Sequence, residues 1–176
     1  AFLGIDVGTS SIKVVAVAAS GEPLAISSSP MAVSVAQPGW SEQRPEEWWM
    51  GTCSAIREVL AAIENPEILG IGLSGQMHSL VALDHAQSVI RPAILWNDVR
   101  SSTEAAYVRD KVGNGSLRQL TGNPSLEGFT VTKLLWIRSH EPELYERISH
   151  VLLAKDYIRF RLTGELATEP SDASGT

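Results

Sequence analysis

Cysteine is nearly absent. Cys53 stands alone among 176 residues, so no intramolecular disulfide can form and cysteine-based metal sites are excluded. A single thiol also fits a reducing compartment. Lysine is scarce, with four widely spaced copies, and 14 Lys+Arg against 20 Asp+Glu leave a formal net charge of −6. That balance argues against nucleic acid as a partner, because such affinity comes largely from clustered cations. No apolar run approaches the ~18 residues of a membrane span, so no membrane partner is expected. The opening AFLGIDVGTSSIKVV has no basic n-region and runs directly into strand-like sequence, unlike a signal peptide. Repeats, low-complexity tracts and composition breaks are also missing. What remains is ordinary globular composition, 44% hydrophobic and 19% charged, in a chain long enough to bury a core. The expectation is a mildly acidic cytoplasmic protein.

The pattern opens with strands. Phe2 to Asp6, Ile12 to Ala18 and Pro23 to Ser29 read as a β-meander, with turns at Gly8-Thr9-Ser10-Ser11 and Ser20-Gly21-Glu22. Pro45 suits a first helical turn, and Glu46 and Glu47 suit the positive end of the helix dipole. Trp49, Cys53, Ile56, Leu60 and Ile63 then recur at helical spacing, which predicts one apolar face running to about Glu64 and a stop near Pro66. Ile68 to Ser74 reads as a buried strand, Ser79 to Leu83 as another, and Pro92 to Trp96 as a strand end. Ser101 with Glu104 predicts a capping box for a helix ending at Gly113. Thr130 to His140, Pro142 to Ile148 and Asp156 to Thr163 read as helices, the last stopped by Gly164, with Val151 to Leu153 a strand. Strands first and alternation later indicate a mixed α/β sheet with helical cover. The final Ser171 to Thr176 reads as mid-domain loop.

Three polar segments could carry chemistry. Asp6 at a strand end precedes Gly8 and a run of hydroxyls, with Lys13 beyond. Successive amides in such a turn can wrap phosphate oxygens while the carboxylate holds a hydrated Mg²⁺. The segment lacks the Gly-Lys-[Ser/Thr] ending of the other common phosphate loop. A plain hairpin with a polar turn remains the simpler alternative. Ser74-Gly75-Gln76-Met77-His78 follows a buried strand, where α/β sheets commonly place ligands, although a histidine in a satisfied turn would read the same way. Metal binding by histidine is not indicated, since His85, His140 and His150 lack ligand spacing with His78 or one another. Trp96-Asn97-Asp98, with Arg100, offers an aromatic face and polar groups suited to sugar hydroxyls, or else a core tryptophan before a capped loop. Trp40, Trp48 and Trp49 read as core. Lys133, within a helix of packing residues, is expected to point to solvent.

Taken together, these segments resemble the FGGY carbohydrate kinases, and the xylulokinase members most closely. GIDVGTSSIKV, PGWSEQRPEEWW, LGIGLSGQMHSL, IRPAILWNDVRS, LTGNPSLEGFTVTKLLWIR, LLAKDYIRFRLTGE and SDASGT follow in that order over the whole chain. The resemblance implies an actin-like, ribonuclease H-like α/β fold of two lobes, each a mixed β-sheet with flanking helices, with sugar and ATP in the cleft. Residues 1–176 would be an incomplete N-terminal, sugar-binding domain, and the ATP-binding domain would lie outside this chain. The implied activity is ATP- and Mg²⁺-dependent phosphorylation of D-xylulose to D-xylulose 5-phosphate, in a cytoplasmic enzyme that is a homodimer at full length. By the same resemblance Asp6 lies near the Mg²⁺ and phosphates, with Gly8, Thr9, Ser10 and Lys13 alongside the triphosphate. Met77 and His78 match the dipeptide that contacts xylulose, and Trp96, Asn97 and Asp98 match positions near the sugar. Glycerol kinases carry Arg-Glu where Met77-His78 stands, which argues against glycerol.

Two departures matter. Ser79 stands where xylulokinases usually have glycine, a change expected to narrow the pocket. The family's catalytic base is an aspartate beyond residue 176, so this chain alone is expected to be inactive. The alternatives are a kinase for another sugar or polyol, or a non-catalytic sugar-sensing or actin-like relative. The GQMH and WND segments favour a kinase, because an assembly protein needs no hydroxyl-reading pocket.

Overall fold

The computed structural model describes residues 1–64 and 67–176. The meander forms as expected: β1 (Phe2–Val7), β2 (Ser11–Val17) and β3 (Pro23–Pro30) pair antiparallel. After β4 (Glu42–Gln43) and α1 (Pro45–Ala61), β5 (Gly70–Gly75) returns parallel to β1 on its other side, giving the order β3-β2-β1-β5. A mixed sheet flanked by helices is thus the architecture. Its period-two pattern is plain in β1 and β2, where Leu3, Ile5, Val7, Ile12, Val14 and Ala16 are all buried on one face.

Helix α1 lies across β2 and β3 on that face, and α6 (Ala154–Thr163) lies over β1 and β5. The predicted apolar face of α1 is displaced by about one residue. Trp48, Gly51, Thr52, Ala55 and Val59 are the buried row, whereas Trp49, Cys53 and Ile56 flank it. Close approach explains the difference. A Cβ at Gly51 would stand 2.7 Å from Met31 Cε and 3.3 Å from Ile12 Cγ1, so small residues must face the sheet and large ones pack beside them. The helix ends at Ala61, and the stop expected near Pro66 lies outside the described residues.

Beyond β5 the chain builds a second layer from β6 (Val81–Leu83), β7 (Ala93–Ile94), α2 (Ser102–Val112), α3 (Asn114–Thr121), α4 (Thr130–His140), α5 (Pro142–Arg147) and β8 (His150–Leu152), with α7 (Pro170–Ala173) after α6. Two-stranded ladders join β4 to β7 and β6 to β8. Strand β6 joins two cores: Val81 and Leu83 belong to the one under the main sheet, Ala82 to a second with Leu80, Ile94, Trp136 and Ile137. Helix α2 starts and stops as expected, but the capping box does not form. Ser101 Oγ instead donates to Glu127 O at 3.0 Å and lies 3.0 Å from Thr132 Oγ1, so the loop before α4 takes the hydroxyl. Helices α3 and α7 stand where no helix was expected. Among the described residues, no helix is long and apolar enough to cross a membrane.

Candidate functional site

The parallel pair β1 and β5 brings two chain segments to one end of the sheet. Asp6 is in register with Lys13 on one side and with Ser74 on the other. Its exposed carboxylate accepts a hydrogen bond from Ser74 Oγ at 2.9 Å through Oδ1, and among the described residues Oδ2 accepts none. Asp6, Lys13 and Ser74 line a trough of about 560 Å³ on the sheet face opposite α1, floored by Gly4 and Gly72. An exposed carboxylate with a free oxygen beside a hydroxyl is a chemically suitable ligand set for a hard, hydrated cation.

The β1–β2 turn is closed by the Gly8 N–H donating to Ser11 O at 3.1 Å. A Cβ at Gly8 would stand 2.8 Å from that same carbonyl, which is why the position is glycine. The Gly8 amide is therefore engaged within the turn. Thr9 looks inward: its hydroxyl donates to Gln76 Oε1 at 3.2 Å and accepts from Trp96 Nε1 at 3.0 Å. Ser10 and Lys13 are exposed.

Beneath the turn runs a network to which the sequence assigned no role. Gln43 Nε2 donates to Thr9 O at 2.7 Å, and Gln43 Oε1 accepts from Trp48 Nε1 at 2.9 Å and Gln76 Nε2 at 3.2 Å. Both glutamines are buried, so each unmade bond would carry a desolvation cost of about 1–3 kcal/mol. Ser79 completes the set, donating to Gln76 Oε1 at 3.0 Å. Its fully buried side chain faces this network, so it braces Gln76 and does not narrow the pocket as expected from the sequence.

His78, Trp96, Asn97 and Asp98 come together with Leu126 to Phe129 around a hollow of about 280 Å³. Trp96 and Met77 are about half exposed, and Asn97 is exposed. His78 sits at φ 55°, a left-handed conformation costing a non-glycine residue of order 1–3 kcal/mol and therefore held by its surroundings. Its ring meets Phe129 edge-on at 4.5 Å, and its pKa is lowered, chiefly by burial and then by the charge of Lys133. Its buried Nδ1 has no hydrogen-bond partner among the described residues.

Asp98 borders the hollow with its carboxylate fully engaged. Oδ2 accepts from Ser41 N–H at 2.6 Å and Arg100 Nη2 at 2.7 Å, and Oδ1 from Arg100 N–H at 2.9 Å. Arg100 also reaches Glu42 at 2.7 Å and lies 3.7 Å from the centre of the Trp40 ring. Lys133 departs most from expectation. It is fully buried, and Nζ donates to His78 O and Gly128 O, each at 2.7 Å. Burial, with Asp98 acting against it and Arg100 with it, brings its pKa down to about 7.

Comparison with known proteins decides the family. The N-terminal domain of the FGGY family of carbohydrate kinases matches residues 1–176. The chain belongs to that family. It is 45% identical over 175 residues to a xylulose kinase of Klebsiella pneumoniae, covering 99% of this chain and 36% of the relative. A crystal structure of a xyloylose kinase from Brucella ovis superposes with a TM-score of 0.94 at 42% identity, covering 99% of this chain and 37% of that one. A xylulose kinase structure from Rhodospirillum rubrum gives 0.96 at 31% identity, covering 99% and 36%. The chain thus spans about a third of the length of the curated relatives it matches.

Proposed function

We propose that residues 1–176 form the sugar-binding part of an ATP-dependent kinase that phosphorylates D-xylulose to D-xylulose 5-phosphate. On this reading the domain is incomplete, and the ATP-binding domain and the proton-accepting aspartate belong to the remainder of a longer cytoplasmic protein. The observation that carries it is the hydrogen bond between Thr9 and Trp96. It ties the turn beside Asp6 to the hollow of His78, Trp96 and Asn97, so that the exposed carboxylate and the polar hollow share one frame.

Within that frame His78 and Asn97 would bind the sugar hydroxyls, with the half-exposed Trp96 and Met77 against its C–H faces. Asp6 would hold Mg²⁺ through its free Oδ2, with Lys13 and the backbone amides of Thr9 and Ser10 near the triphosphate. When bound, Mg-ATP supplies the phosphoryl group, and the metal offsets the charge that develops during transfer. The chain's own part is positioning: it orients the acceptor hydroxyl and fixes the metal-binding carboxylate relative to it. Asp98, which borders the hollow, would not take the hydroxyl proton on this reading, because its carboxylate is closed inside its ion pair with Arg100.

The test is a coupled assay of ADP release by the full-length protein, offered D-xylulose, gluconate or glycerol with Mg-ATP. Turnover highest with D-xylulose supports the reading, and preference for another acceptor names the alternative kinase. Sugar binding without turnover would instead favour a sugar sensor.

A further inference from the structure

The structure contains a buried cation that the proposed reaction does not use. Lys133 lies in the first turns of α4, next to the second core, and is completely buried. A leucine or methionine would fill such a position without the desolvation cost of an ammonium group. The lysine is therefore explained by what its amino group touches. One N–H donates to His78 O, another to Gly128 O. Both residues line the hollow, and they come from segments about fifty residues apart in sequence. The His78 carbonyl also accepts from Thr130 Oγ1 at 3.2 Å, so α4 supplies two donors to the one peptide group that carries the left-handed histidine. Gly128 in turn lies so close to Trp96 that a Cβ there would stand 2.8 Å from Trp96 O.

We infer that Lys133 is a positioning residue for the sugar pocket: its amino group clamps the His78 peptide to the Gly128 loop and thereby fixes the distance between the His78 and Trp96 walls. This rests on the sugar-kinase reading for its functional meaning, but the clamp itself is a property of the fold. Without the donor, the His78 carbonyl keeps only the bond from Thr130, its peptide is less firmly held, and the imidazole moves from its place against Phe129. Asp98, Arg100 and His78 are the charged or titratable groups that surround the amino group. None of them can replace its two bonds, since Asp98 and Arg100 are committed to each other.

The decisive variant is Lys133→Met in the full-length protein, which keeps the volume and removes the donor. The KM for D-xylulose should rise at least tenfold while the KM for ATP stays within twofold and the protein still melts cooperatively. A folded variant with an unchanged sugar KM overturns the inference. Should Lys133→Met fail to fold, Thr130→Val removes the second donor to the same carbonyl, and a rise of about threefold in sugar KM is expected; no rise overturns it. Should the wild-type protein phosphorylate no sugar, the functional reading fails separately and the clamp is read by NMR. The His78 Cα shift should then move toward extended backbone in Lys133→Met or Thr130→Val, and in Lys133→Met its imidazole should titrate at higher pH. Unchanged His78 shifts and titration overturn the clamp whatever the enzyme does.

Discussion

The indole N–H of Trp96 donates to the hydroxyl of Thr9 across 3.0 Å, although the two residues are 87 positions apart in sequence. Thr9 passes the contact on to Gln76, and Gln76 to Gln43 and Ser79, so the turn after β1 and the segment after β5 share one buried polar network. Thr9→Val keeps the shape and removes both bonds. Trp96 is half exposed and can rehydrate its N–H, whereas buried Gln76 Oε1 loses one of its two donors and keeps only Ser79. Stability should fall by about 1 kcal/mol in urea titration. The sugar KM should rise several-fold in the same variant, because the Trp96 wall is no longer held.

Asp98 gives the opposite kind of prediction. Its pair with Arg100 is shielded, with side-chain exposures of 0% and 1%, and breaking such a pair leaves an uncompensated buried charge. Asp98→Asn should destabilise the protein by roughly 3–5 kcal/mol. If it acted as the proton acceptor, kcat of the folded fraction would collapse. Retained turnover per folded molecule, measured below the melting transition, is the expected result.

Asp6→Asn separates metal binding from folding. The carboxamide could still accept from Ser74 but would offer no charge to a cation, and Asp6 is exposed, so stability should change little. The expected outcome is a drop in kcat of tenfold or more with sugar binding by calorimetry nearly unchanged. Near-normal turnover at ordinary Mg²⁺ would reduce Asp6 to a turn residue.

How much of this was legible depended on the range of the interaction. Alternation in FLGIDV and SIKVVAV specifies the buried face of β1 and β2 because period two is local. Gly113 and Gly164 end α2 and α6 where expected because positive φ is also local. The buried face of α1 lies one residue away from its row of large apolar side chains, because close helix–sheet approach puts Gly51 and Ala55 inside. Lys133 carried a signal that was available. It lies three and four residues before Trp136 and Ile137, both buried side chains of α4, so the same period that buries them buries it. Gln43 carried no such signal, because its partners Thr9 and Gln76 come from the β1–β2 turn and the segment after β5. Asp98 has Arg100 two residues away, but the Ser41 N–H that also holds its carboxylate is 57 positions distant and nothing local announces it.

The depressed pKa of Lys133 makes stability depend on pH in a defined direction. The group titrates near 7 in the folded protein and at about 10.5 when unfolded. Between those values the unfolded chain binds the extra proton, so stability should rise with pH, by at most ~1.4 kcal/mol per unit. Below about pH 7 both states are protonated and the penalty is present in full. Urea midpoints measured from about pH 7.5 to about 9.5, inside that window, should climb in the wild type more steeply than in Lys133→Met. Parallel curves would mean that Lys133 keeps an ordinary pKa.

Gly175 and His78 are in contact tight enough to test by substitution. A Cβ at Gly175 would overlap His78 Cε1 and stand 2.5 Å from Nδ1, and the ring also packs edge-on against Phe129 at 4.5 Å. Gly175→Ala must therefore displace either the imidazole or the segment after α7. Gly175 lies just beyond α7 and is itself buried, so the added methyl should also cost about 1–3 kcal/mol of stability through overpacking. The sugar KM is the sensitive quantity. It should rise in Gly175→Ala by the same mechanism as in His78→Ala, through loss of the histidine from its place. If so, the two substitutions cannot add: once the imidazole is removed, the methyl group at position 175 has nothing to push. The double variant should match His78→Ala within twofold in sugar KM, which is the signature of two residues acting at one point. Full additivity would mean that Gly175 acts on the hollow by another route, and an unchanged KM in Gly175→Ala alone would mean that the ring yields without cost.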